Sequence, residues 1–138
     1  MLNELIQLTF DKIMQTRAYT VVILGAHDKR FAIYTDPGIG KTIQMYLTGI
    51  ERPRPLTHDL LHNIFRGFGI RVKQVVINDV QETIYYARLF LELEDKNGVK
   101  QILEIDARPS DCIMLALMNN VPVYCTRDVL NKTIKVDD

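Results

Sequence analysis

The sequence predicts a single α+β domain spanning residues 1–138, in which a mixed, largely antiparallel β-sheet packs with about three helices. Three observations predict it. Strand-like segments come in groups joined by turns that suit antiparallel neighbours, helical segments with apolar faces separate those groups, and no Pro-, Gly- or Ser-rich linker divides the chain.

The elements follow in order. Ile6, Leu8 and Phe10 alternate with Gln7, Thr9 and Asp11, the period of a strand. Tyr19 to Leu24 and Arg30 to Thr35 are rich in β-branched and aromatic residues and flank the turn Gly25 to Lys29, so they read as a hairpin. Asp36-Pro37-Gly38 is a turn leading into a helix from Lys41 to Leu47, broken by Thr48 to Pro53. A second helix runs from Leu56 to Phe68, its apolar face made by Leu60, Leu61, Ile64, Phe65 and Phe68, with Gly67 or Gly69 to end it. Arg71 to Val80, Thr83 to Glu94 and Val99 to Ala107 then form a meander whose second turn is Asp95-Lys96-Asn97-Gly98. A third helix from Ser110 to Met118 stops at Asn119-Asn120. A short strand, Pro122 to Cys125, precedes a closing helical turn from Thr126 to Leu130 capped by Thr126.

Composition bounds the function. Seventeen basic residues balance seventeen acidic ones, so no global field attracts a polyanion and any such contact rests on a local cluster. No apolar stretch approaches the ~20 residues of a membrane span, and the first residues lack the basic start of a secretory signal, which gives a cytoplasmic expectation with no membrane partner. Cys112 and Cys125 lack metal-motif spacing and lie in apolar surroundings, as buried reduced thiols do.

Two segments share one design. Arg54-Pro55-Leu56-Thr57-His58-Asp59 and Arg108-Pro109-Ser110-Asp111 each place Arg-Pro before a hydroxyl residue and an acid, with an apolar run following. Proline holds the preceding residue extended, and Thr57 and Ser110 are expected N-caps, so each segment delivers an arm into a helix start. A helix N-terminus beside a guanidinium suits an anion such as phosphate, and the aspartates suit a hard cation or a water. The alternative is two capped helices with solvated charges.

Two other motifs are weaker. Gly40-Lys41-Thr42 imitates the end of a phosphate-binding loop, but Thr35 stands where the motif needs its first glycine. His58-Asp59-Leu60-Leu61-His62 imitates a zinc-peptidase helix, with the shorter aspartate in place of glutamate and no evident third ligand. The set Arg54, His58, Asp59, Asp106, Arg108 and Asp111 contains what a phosphodiesterase requires: carboxylates for a divalent ion, a histidine to move a proton and arginines to neutralise phosphate. Structural ion pairing, such as Arg108 with Asp59 across the two helix starts, uses the same residues equally well.

Together, Arg52 to Leu61 and Ile105 to Asp111 resemble the two signature blocks of the bifunctional nuclease domain family, and the likeness extends from about Tyr19 to Leu130. The resemblance implies an α+β domain with a large mixed sheet, a homodimer or higher oligomer, and DNase and RNase activity as in plant members. Its polar signature falls on Pro53, Arg54, Pro55, Thr57, His58 and Asp59, and on Asp106, Arg108, Ser110 and Asp111. The expected function is therefore hydrolysis of phosphodiester bonds in DNA or RNA. In that reading Asp59, Asp106 and Asp111 hold magnesium, manganese or a water, His58 carries the proton, Arg54 and Arg108 bind phosphate with Thr57 and Ser110 beside them, and no organic cofactor takes part. The rival expectation is a non-catalytic oligomeric module whose signature residues pair with one another or bind a small anion. A subunit interface is expected at an exposed strand edge or along the helix from Lys41 to Leu47. The chain departs from the family pattern at Ile39-Gly40, where relatives carry Glu-Ala, and at Thr83, where they carry glycine; the first departure removes one candidate acid.

Overall fold

The computed structural model describes residues 4–137. Seven strands form one sheet in the order β3-β2-β1-β7-β4-β5-β6. They are β1 (Leu5–Gln15), β2 (Thr20–Ala26), β3 (Lys29–Thr35), β4 (Ile70–Gln81), β5 (Ile84–Glu94), β6 (Lys100–Ala107) and β7 (Val123–Thr126). Every neighbouring pair is antiparallel except β4 and β7. The helices are α1 (Pro37–Leu47), α2 (Thr57–Phe68), α3 (Pro109–Asn119) and α4 (Arg127–Lys132). The α+β class and mixed sheet expected from the sequence are what the chain forms. None of the described helices is long and apolar enough to cross a membrane.

The long strand β1 joins the two halves of the sheet. Its first residues pair with β7 and its later ones with β2, with a bulge between Phe10 and Lys12. A bulge sharpens the local twist. The sheet curls enough that Phe31 on β3 stacks on Tyr85 on β5, ring centroids 5.7 Å apart, although four strands lie between theirs in the order. Inside the curl sits α3, with Cys112, Ile113, Met114, Leu115 and Ala116 all buried. The core joins these to alternate residues of the strands, among them Val22, Leu24, Val75, Ile77, Leu89 and Leu91. Both cysteines are free and fully buried, and burial pushes their thiols up to about 12 at Cys112 and about 11 at Cys125, so both stay protonated at neutral pH.

Helix α1 begins earlier than the sequence reading places it. Asp36 is extended and its carboxylate accepts from the Ile39 amide at 3.1 Å, and Pro37 occupies the first helical position, where it loses no hydrogen bond. The stretch that imitates a phosphate loop therefore lies inside a helix. Gly40 lies against β2: a Cβ there would stand 2.0 Å from Thr20 Oγ1 and 2.6 Å from Thr20 Cγ2, and Thr20 is fully buried. Gly40→Ala is expected to destabilise the fold by about 1–3 kcal/mol, because this overlap outweighs the gain of roughly 1 kcal/mol in helix propensity. Urea unfolding of the two proteins measures the difference.

The other helix starts shift as well. The N-cap of α2 is Leu56, not Thr57, and that of α3 is Arg108, not Ser110. Proline is the cause at α3: Pro109 takes the first helical position, so the residue before it must be the extended cap. Ser110 then falls inside the first turn, 3% exposed. Thr126 caps α4 as expected, accepting from the Val129 amide at 3.1 Å.

Candidate functional site

The two Arg-Pro segments meet in space. His58 in the first turn of α2 places Nε2 2.9 Å from Asp111 Oδ1 in the first turn of α3, across 53 residues of sequence. Arg108 folds back over the start of α3, donating from Nε to Asp111 Oδ2 at 3.0 Å and from Nη2 to Oδ1 at 3.3 Å, and its Nη1 lies 3.6 Å from Asp36. Asp111 thus accepts from a ring and a guanidinium together. Those bonds, the one from His58 foremost, hold its carboxyl down at about 2.

An ionised carboxylate only accepts, so the proton between the two belongs to His58 Nε2, and Asp111 fixes the tautomer. Nδ1 of that ring has no protein partner among the described residues. The His58 side chain is 10% exposed and Asp111 30%, while Arg108 is 65% exposed. The three stand at the polar end of a groove of about 870 Å³ whose other lining includes Leu61 and Phe65 of α2, Leu89 and Leu91 of β5, and Ile105 of β6. Thr57 lines the same groove.

Not every expected site residue is there. Asp59 is held by Arg52, whose Nε donates to Oδ2 at 2.6 Å while Nη2 reaches Oδ1, and it accepts from the Leu56 amide at 2.9 Å. The guanidinium beside it keeps the Asp59 carboxyl below the usual carboxylate range. This is a helix-start clamp on a neighbouring depression of about 500 Å³ lined by Tyr46, Ile50 and Asn63. Asp106 alternates on β6 with the groove-lining Ile105 and Ala107, so it points to the opposite face of the sheet, where Arg88 lies 3.8 Å away. Arg54 is exposed, without an ion pair among the described residues, and the Ser110 side chain is buried.

The three carboxylates expected to share a divalent ion are therefore bound to three different cations. Among the described residues no group of three or more His, Cys, Asp or Glu side chains gathers where it could hold a metal ion, so this residue set does not fit one. His62, one turn beyond His58, leaves Nδ1 buried without a partner, and the two histidines do not converge on a third ligand. The cross-pair of Arg108 with Asp59 is replaced by Arg52 with Asp59 and Arg108 with Asp111.

Two participants escaped the sequence reading. Arg52 belongs to the same Arg-Pro-Arg-Pro run as Arg54, and the signal available is an arginine seven residues ahead of an acid in the first turn of α2. Asp36 reads in the sequence as part of a turn, and only the Asp-Pro start of α1 marks it as a cap. It also meets Arg108.

The family model described as the bifunctional nuclease domain matches residues 22–137. The chain belongs to the bifunctional nuclease domain family. Two uncharacterized proteins of Mycobacterium tuberculosis, from strains CDC 1551 / Oshkosh and H37Rv, are each 36% identical over 103 residues, which is 75% of this chain and 58% of theirs. Bifunctional nuclease 1 of Oryza sativa subsp. indica is 29% identical over 91 residues, 65% of this chain and 27% of the rice protein. The chain thus spans little more than half of the mycobacterial relatives and about a quarter of the rice one. Both signature blocks of this bifunctional nuclease domain lie within the matched region.

The ion pairs set an acid limit on stability. The folded value for Asp111, about 2, lies below its ordinary 3.8, so its contribution is fully present above about pH 4 and is lost as pH falls through about 2. Asp59 shifts in the same direction. Denaturant titrations between those pH values are expected to lose about 2 kcal/mol through Asp111, and Asp111→Asn is expected to flatten that slope.

Proposed function

We propose that this chain is a phosphodiesterase acting on nucleic acid, with His58, Asp111 and Arg108 as its reacting centre. The observation that carries the reading is the His58–Asp111 contact, because it joins the two signature segments at the mouth of a groove. Asp111 orients the imidazole, and Nδ1 takes a proton from a water attacking phosphorus. The P–O ester bond breaks as the new one forms, and the histidine's proton passes to the departing oxygen. Arg108 and the unpaired amides at the start of α2 meet the charge that grows on the phosphate oxygens. The nuclease names of the rice relatives support the substrate class.

No step is routed through a metal, since the carboxylates do not gather. The purified chain is expected to cut single-stranded DNA or RNA, and parallel reactions with magnesium, manganese or a chelator ask what a metal adds. One observation favours a second reading, a non-catalytic module: signature acids and arginines satisfy one another, with the Arg52 and Asp59 side chains only 19% and 15% exposed. Absence of cleavage in every reaction would select it.

A further inference from the structure

A second cavity lies beyond Arg108. It encloses about 600 Å³ where the end of β3, the start of α1, the β4–β5 turn and the start of α3 come together, and its lining includes Tyr34, Thr35, Asp36, Thr83, Ile84 and Tyr85. Arg108 lines both this cleft and the groove that holds His58 and Asp111. A group bound to its guanidinium therefore has a cavity on either side.

The cleft suits a flat neutral group better than a phosphate. Its charged lining residues are Arg108 and Asp36, which lie 3.6 Å apart and offset one another, so a phosphate placed inside would meet the Asp36 carboxylate. The rest of the lining is neutral. Tyr34 and Ile84 are 57% and 60% exposed, large apolar surfaces left to solvent at the ends of two strands. The Tyr34 ring meets that of Tyr19 in a T-shaped contact, centroids 5.3 Å apart and planes at 69°. Such a contact uses an edge of one ring and a single face of the other, so Tyr19 steadies Tyr34 and leaves it at least one uncovered face. Thr35 and Thr83 add hydroxyls, which both donate and accept.

An aromatic face beside a cation is the pairing by which single-stranded nucleic acid is held, the ring taking a base and the cation its backbone. We infer that the cleft binds one unpaired nucleobase stacked on Tyr34, with the adjoining phosphate at Arg108 and turned towards the His58 groove. The inference rests on the nuclease reading for the place of the phosphate, and adds to it a base subsite and a preference for single strands. A base inside a duplex is covered on both faces by its neighbours and cannot reach the ring.

Fluorescence polarisation with a short labelled oligothymidylate and a labelled duplex tests this, with His58→Gln present in every protein so that the probes stay whole. Adding Tyr34→Ala is expected to weaken binding of the single strand by about ten-fold, and Tyr34→Leu, which keeps apolar bulk without a flat face, should do the same. Tyr34→Phe keeps the ring and should bind within about two-fold, and duplex binding should change by less than about two-fold in all three. Unchanged binding of the single strand by Tyr34→Ala, an equal loss with Tyr34→Phe, an equal loss on the duplex, or no binding of the single strand at all would each overturn the inference. Cleavage by the chain with His58 intact is read separately. Cleavage with binding indifferent to Tyr34 removes the base subsite alone, and Tyr34-dependent binding without cleavage removes the nuclease reading alone.

Discussion

Asp111→Asn is expected to lower nucleic-acid cleavage by roughly 10²–10⁴-fold while leaving the fold intact. Three consequences combine in that one substitution. The amide presents either oxygen or nitrogen to His58 Nε2, so the ring is no longer held in one tautomer with Nδ1 as the base. The imidazolium formed when Nδ1 takes a proton loses the anion beside it. Arg108, which donates twice to this carboxylate, loses its tether and its angle over the groove. The effect should therefore fall on kcat more than on KM, since proton transfer and charge stabilisation belong to the transition state. The same variant should be less sensitive to acid than the native chain, because the carboxyl held at about 2 is gone. Steady-state cleavage and acid unfolding of one preparation measure both.

Phe31→Ala is expected to cost about 3–5 kcal/mol, the largest effect on folding among the positions discussed. Phe31 is fully buried, and its ring is stacked on Tyr85 where the curl brings the ends of the sheet together. Truncation removes apolar burial, leaves a cavity and ends an aromatic contact between strands that share no hydrogen bonds. Tyr85 supplies a local signal. Burial raises its phenol to about 12, so in Phe31→Ala its titration should move back towards the ordinary 10. Chemical denaturation gives the energy, and ultraviolet titration of the tyrosines gives the local change.

The sequence carried the strands well because each announces itself locally. Period-two alternation and turn residues fixed the β4-β5-β6 meander to within about a residue at most ends. Helix starts were harder to read. A hydroxyl residue after Arg-Pro looks like a cap, yet Pro109 preferred the first helical position and moved the cap back to Arg108. Asp36 is hard to recognise as a cap because Asp-Pro-Gly also spells a turn. The apolar residues of α2 were legible as a stripe, but periodicity does not say what covers a stripe, and Leu60, Ile64 and Phe68 are exposed in the single chain.

The site was legible as residues and not as geometry. The two signature segments hold His58, Asp111 and Arg108, which touch one another, but only the curl of the sheet around α3 brings their helix starts together. Asp106 belonged to the same segment, and one step of strand alternation turned it to the far side of the sheet. Asp59 had an unremarked partner in Arg52, and that pair makes it a clamp on the helix start.

In the proposed reaction His58 is the proton carrier, and the rate of cleavage by His58→Gln tests this most directly. Glutamine can keep a hydrogen bond to Asp111 but cannot exchange a proton near neutral pH. Assayed beside the native chain on single-stranded nucleic acid, with equal melting temperatures, the variant should be slower by at least roughly 100-fold. Cleavage within about two-fold of the native rate would contradict a proton-carrying role for His58, since general acid–base loss is worth far more than that.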